Sequence, residues 1–195
     1  MKDIAKEIIE EIVAELYGKK VLSNLSRPLY VEKLLVRLLG PDWQYVGGDW
    51  SGWDLENSQS HLRLEVKQSA ARQTWTDGPS RIGKPTKPIF DIRDRNGYFA
   101  DGGSRWIASA GRPADLYVFA WHPHFIPKEA VDHTDPEQWE FYLLPERHLP
   151  TGQKTISLSS LLKLDPVSAT SQNFAATVQH MSADLRPLKW SKVPL

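Results

Sequence analysis

HLRLEVKQ, residues 61–68, alternates polar and apolar side chains. Successive side chains of a strand point to opposite faces, so the segment predicts a strand with Leu62, Leu64 and Val66 toward the core and Arg63, Glu65 and Lys67 on the other face. A carboxylate and an ammonium are then held side by side at one spot. Upstream, Asn57, Ser58, Gln59 and Ser60 have turn chemistry and join this strand to an earlier one running through Trp53, Asp54 and Leu55. With the turn centred between Ser58 and Gln59, Asp54 falls opposite Arg63 and diagonal to Glu65, with backbones roughly 7–8 Å apart. A slip of one residue turns Asp54 to the opposite face.

Before the hairpin, two helices are expected. Asp3 can cap the first, whose apolar stripe is Ile4, Ile8, Ile9, Ile12, Val13 and Leu16, with Gly18 to end it. Ser26 and Pro28 start the second, in which Val31, Leu34, Leu35 and Leu38 recur at helical spacing until Gly40 and Pro41. Glu32, Lys33 and Arg37 stand off its main apolar face. Beyond the strand, residues 69–113 are rich in Gly, Pro, Ser and charge, a stretch too long for a structureless loop without a function. Short elements at 89–92 and 106–108 are expected to organise it. ADLYVFAW at 114–121 reads as a strand buried on both faces. WEFYLL at 139–144 reads as another, 156–164 as a strand end feeding a helix, and 171–184 as a last helix. This order predicts one α/β domain over residues 1–195, with a central mixed β-sheet flanked by helices.

The 195 residues include no cysteine, which removes disulfides, thiolate metal sites and cysteine nucleophiles together. A reducing cytoplasm is the natural fit, because the first eighteen residues break their apolar runs with Lys and Glu where a secretory leader needs an unbroken run. The 24 basic and 24 acidic residues cancel. Residues 68–113 are nevertheless basic, with Arg72, Arg81, Lys84, Lys87, Arg93, Arg95, Arg105 and Arg112 against Asp77, Asp91, Asp94 and Asp101.

Two carboxylates, Asp54 and Glu65, with the backbone carbonyl of Val66 and water, make an all-oxygen shell that suits magnesium or manganese. Such an ion polarises a phosphodiester and activates water, and a neighbouring ammonium such as Lys67 positions that water or offsets developing charge. Glu65-Val66-Lys67 alone is a weak signal, and without further context a solvated strand face with a surface ion pair is the favoured reading. Of the six histidines, His122-Pro123-His124 reads as an ordinary loop, and His61, His133, His148 and His180 show no partner pattern. Arg112 and Asp115, flanking the buried strand, read as a structural ion pair.

GWDLE, with Asp54 eleven residues before Glu65, together with EVKQSA, a preceding helix and a following apolar strand, resembles the PD-(D/E)XK nuclease superfamily, the restriction-endonuclease-like fold. The likeness runs through SRPLYVEKLLVRLLG, EVKQSAARQTW, GRPADLYVFA, WEFYLLP and ISLSSL, about residues 26–162, and points to a group of bacterial proteins of that superfamily. It implies a metal-dependent endonuclease acting on DNA, with Asp54 and Glu65 as metal-binding acids, Lys67 as the motif lysine and Glu32 as the helical acid near the metal. Gln68, which a regular strand turns away from Glu65, and Gln73, just past the strand, are candidates to support these groups from behind. Arg72, Arg81, Lys84, Lys87, Arg93 and Arg95 would contact phosphates, and a homodimer suits cutting both strands. Two departures stand out: Trp53, not proline, precedes Asp54, and Gln68 replaces a small polar residue. The runner-up among enzymes is a structure-selective repair or recombination nuclease acting on branched or damaged DNA, and the rival from another class is an inactive descendant that binds nucleic acid or protein through the same fold.

Overall fold

The computed structural model describes residues 2–48, 51–76, 83–100 and 103–185. Helices α1 (Lys2–Tyr17) and α2 (Arg27–Leu39) come first. Pro28 sits in the first turn of α2, where the missing amide hydrogen leaves no bond unmade, and Gly40, at φ 95°, ends the helix with its N–H on Val36 O. Ser26 precedes α2 as expected but does not cap it with its side chain; its hydroxyl pairs with that of Ser23 at 3.1 Å. The strands are β1 (Trp43–Tyr45), β2 (Leu55–Asn57), β3 (Arg63–Ala70), β4 (Ile89–Asp91), β5 (Arg95–Ala100), β6 (Arg105–Gly111), β7 (Leu116–His122), β8 (Glu140–Pro145), β9 (Thr155–Ser157) and β10 (Val167–Ala169). Two further helices, α3 (Leu158–Leu161) and α4 (Phe174–Ser182), complete the described chain.

Six strands form the central sheet in the order β1-β2-β3-β7-β8-β10. It is mixed: β3 and β7 run parallel and the other neighbours antiparallel. One face carries Leu64, Val66, Val118, Phe141 and Leu143, packed with Val31 and Leu35 of α2 and Phe174 and Val178 of α4. The opposite face carries Tyr117, Phe119 and Leu144 against Phe90, Ile92, Ile156 and Leu161. Every residue of β7 is buried, which is why its sequence is apolar without alternation. Fully burying one Leu or Val contributes about 1.5–3 kcal/mol, so this two-sided core dominates the fold's stability.

Three expectations are corrected. The apolar stripe of α1 does not enter the core, since Ile4, Ile8, Ile9, Ile12 and Val13 remain between 48% and 61% exposed. Residues 69–113 hold more than the two short elements expected at 89–92 and 106–108, which are β4 and β6: an additional strand, β5, pairs with β6, and β4 pairs with β9. Asn96-Gly97 inside β5 is a dipeptide more typical of turns, which hides the strand from a local pattern. Arg112, finally, does not pair with Asp115. It is buried, with Nε on Glu146 Oε1 at 2.8 Å and Nη1 on Ile92 O at 3.1 Å, while Asp115 Oδ2 accepts from the Arg63 amide at 2.9 Å. No helix among the described residues is long and apolar enough to cross a membrane.

Candidate active site

The β2–β3 turn decides where Asp54 goes. Asn57 Oδ1 accepts from the amides of Gln59, at 3.0 Å, and Ser60, at 2.8 Å. Its own amide reaches across to Leu62 O at 3.0 Å. Four residues, 58–61, are thus looped out, His61 taking φ 58°, and the ladder pairs Leu55 with Leu64 and Glu56 with Arg63. The turn therefore centres between Gln59 and Ser60, and the expected pairing of Asp54 with Arg63 is not the one observed. Continued by one step, the register brings Asp54 level with Glu65. A second irregularity follows, because the Asp54 amide bonds to Leu64 O, one residue out of step, and the amides of Val46 and Gly47 both converge on Asp54 O. An extra residue of this kind is a β-bulge, which re-aims a side chain and ends a ladder. Asp54 Oδ2 takes the vacated ladder position and accepts the Val66 amide at 2.7 Å.

Glu65 is 2% exposed. Its Oε1 accepts from Lys67 Nζ at 2.5 Å and from Arg95 Nη2 at 2.9 Å, while Oε2 is buried without a hydrogen-bond partner. Arg95 is held in turn by Ser51 O at 2.6 Å. Asp54, Glu65 and Lys67 line one cavity of about 590 Å³, together with Asp91, Arg93, Arg95, Asn96, Trp106 and Tyr117. Burial pushes the Asp54 carboxyl well above the ordinary range, and the charges of Glu65 and Glu32 push it further, against Lys67 and the Val66 amide. Glu32 is raised by the same two causes, burial first and Glu65 second. The Tyr117 hydroxyl is likewise held up by burial and by Glu65, its neighbour across the β3–β7 ladder. Acids perturbed by burial and by a neighbouring carboxylate are a common property of functional sites.

The donors suit a hard cation. In a strand the N–H and C=O of one residue point to the same side. Since the Val66 amide faces Asp54, its carbonyl faces the same edge, so Glu65 Oε2 and that carbonyl on β3 and the Asp54 carboxylate held at its edge are the oxygen donors. Glu32 lies within electrostatic reach, but among the described residues no three His, Cys, Asp or Glu side chains form a ready ligand group.

Other candidates have different partners. Gln68 and Gln73 do not stand behind the acids; both accept from the buried Arg27 of α2, the Gln68 bond at 2.5 Å and the Gln73 bond at 2.8 Å. The alternation of β3 puts Gln68 on the α2 face, away from Glu65. Arg72 is buried, with its guanidinium on Phe125 O at 3.0 Å, and so cannot be a phosphate contact. Lys84 and Lys87 are exposed as expected, and Arg93 lines the cavity while bonded to Asp91 at 3.0 Å. Arg81 lies outside the described residues. Arg95, expected on a phosphate-binding surface, turns onto Glu65. Sequence reasoning also missed the buried pair of His122 and His133, whose rings meet edgewise with centroids 4.6 Å apart. Only the fold joins residues eleven apart on different segments in this way.

Compared with protein-family models, curated proteins and solved structures, the chain matches none.

Proposed function

We propose that this protein is a magnesium- or manganese-dependent nuclease that hydrolyses phosphodiester bonds in DNA, on a restriction-endonuclease-like core of the PD-(D/E)XK type. Chain order supports the core: α2 precedes a hairpin whose second strand bears Glu65 and Lys67, and β7 lies parallel beside that strand. Glu65 Oε2 carries the activity. A buried acceptor without a partner costs about 1–3 kcal/mol, and more when charged, so keeping one beside Asp54 fits a ligand position better than a structural one.

Asp54, Glu65 and the Val66 carbonyl would hold the cation, which when bound polarises the phosphodiester and lowers the pKa of water. The Val66 amide fixes the Asp54 carboxylate at the edge of β3. Lys67, 2.5 Å from Glu65 Oε1, sets an ammonium where charge develops on phosphate oxygens and can orient the attacking water. Exposed Lys84 and Lys87, with Arg93 at the cavity, would take neighbouring phosphates and supply affinity without sequence information. The cysteine-free chain suits a reducing cytoplasm.

The test is incubation with supercoiled plasmid, single-stranded DNA and branched duplexes, each with magnesium or manganese. Cleavage that requires the ion and is lost in Glu65→Gln is the expected result; absence of both cleavage and divalent-ion binding overturns the reading. One observation favours the rival class of binding module. Lys67 and Arg95 together already neutralise Glu65 Oε1, as a site without a metal would require. Wild type that binds DNA but neither binds nor needs a divalent ion would establish that rival.

A further inference from the structure

Trp106 lines the same cavity as Asp54, Glu65 and Lys67 yet leaves 49% of its surface exposed. An indole of that size is normally buried for the apolar area it removes from water. Here it is fixed instead. It meets Phe99, its partner across the β5–β6 ladder, edge to face with centroids 5.0 Å apart. Gly97 lies against its ring so closely that a Cβ there would stand 2.5 Å from Trp106 Cζ2. Only glycine allows that approach, so the strand pair holds one side of the indole and leaves the rest open to the cavity. Asn96, exposed beside it, offers an amide donor and acceptor.

We infer that Trp106 is a stacking platform for an unpaired DNA base, set beside the centre where a strand would be cut. The inference rests on the nuclease reading and narrows its substrate. Bases in an intact duplex have both faces covered by their neighbours, whereas a single strand, a flap or a bulge presents a free face. Stacking one base on an aromatic side chain is favourable and tolerates any sequence, because every base has a π-face. Extracting a paired base costs its pairing and stacking, which makes strands that are already unpaired the preferred partners. Asn96 can meet the edge of the stacked base, and Arg93 the adjoining phosphate.

The experiment measures fluorescence anisotropy without divalent ions, so that no cleavage intervenes. Wild type, Trp106→Ala and Trp106→Phe are titrated into a single-stranded oligonucleotide, its blunt duplex and the same duplex with a two-nucleotide bulge. Wild type should bind the single strand and the bulge more tightly than the duplex. Trp106→Ala should lose about tenfold or more on those two and stay unchanged on the duplex, while Trp106→Phe, which keeps a ring on Phe99, retains most of the affinity. Equal weakening on all three DNAs, no weakening on the single strand, or no DNA binding by wild type overturns the platform. Plasmid cleavage with magnesium is scored separately. Cleavage with an indifferent Trp106 sinks only the platform, and a selective Trp106 without cleavage sinks only the nuclease.

Discussion

Asp54 Oδ2 accepts the Val66 amide at 2.7 Å, so a side chain replaces a rung of the β2–β3 ladder at the point where β3 carries its charged residues. The bond makes one carboxylate oxygen part of the sheet. It also brings that carboxylate near Glu65 despite a register two residues from the expected one. Glu65 and Asp54 are therefore positioned by backbone geometry, which has consequences for charge, stability and metal response.

Glu65→Gln keeps the side chain's size and removes the charge that a hard cation needs, and Lys67→Met keeps the stem without the ammonium. Both should fold, because Leu62, Leu64 and Val66 anchor β3 on its other face. Both should lose ion-dependent cleavage. By calorimetry, Glu65→Gln should bind magnesium more weakly, whereas Lys67→Met should bind it as well as wild type or better, a competing cation having gone. Arg95→Met should also tighten magnesium, since it frees Glu65 Oε1 of its other partner. Weaker magnesium binding in Arg95→Met would mean that Arg95 shapes the site rather than competing for it.

Asp54→Asn should stabilise the metal-free protein at neutral pH and above while abolishing metal-dependent activity. The asparagine oxygen can still accept the Val66 amide, and the buried charge repelled by Glu65 and Glu32 is gone. The sign follows from linkage: a carboxyl raised in the folded state contributes stability present below its ordinary pKa and lost as pH rises through the raised value. Each pKa unit is worth about 1.4 kcal/mol. Urea unfolding in chelator should show the variant ahead at pH 8 and level with wild type near pH 4.

His122 and His133 are fully buried, and burial depresses them to about 4 and about 3. A histidine depressed in the folded state contributes stability that is complete above its unfolded pKa of about 6.5 and declines as pH falls toward the folded value. Unfolding free energy should thus drop as pH falls from 6.5 to 4, with a slope of at most about 1.4 kcal/mol per pH unit per histidine. His122→Asn should flatten that slope. A slope unchanged in the variant would assign the acid sensitivity to other groups.

Lys84→Ala and Lys87→Ala should leave stability unaltered, because both side chains are exposed. If these residues meet phosphates, each change should weaken binding to all DNA sequences alike and lower the salt slope by about one. Arg112→Ala belongs to the same basic stretch but should behave oppositely. It strips Glu146 and the carbonyls of Ile92 and Pro150 of their donor, at a cost of about 3–5 kcal/mol. Thermal unfolding and salt-dependent anisotropy read the two effects separately.

Local pattern alone determined that β3 would alternate, that β7 would be buried on both faces, and that α2 would run from the region of Pro28 to Gly40. In each case the periodicity or the glycine and proline chemistry acts within a few residues. It also determined that Glu65 and Lys67 share a face, since a strand leaves no other choice. Tertiary structure decided the rest. The bulge at Asp54 depends on hydrogen bonds with Val46 and Gly47, just after β1, and with β3 together, and no feature of WDLE announces it. Arg95, Arg72 and Arg112 are alike in sequence, three arginines in a basic stretch. One meets Glu65, one is buried against Phe125, and one holds the segments ending in Ile92 and Pro150. Their partners lie 20 to 53 residues away. A charge's role is set by the field and burial it meets, and those exist only once distant segments have packed.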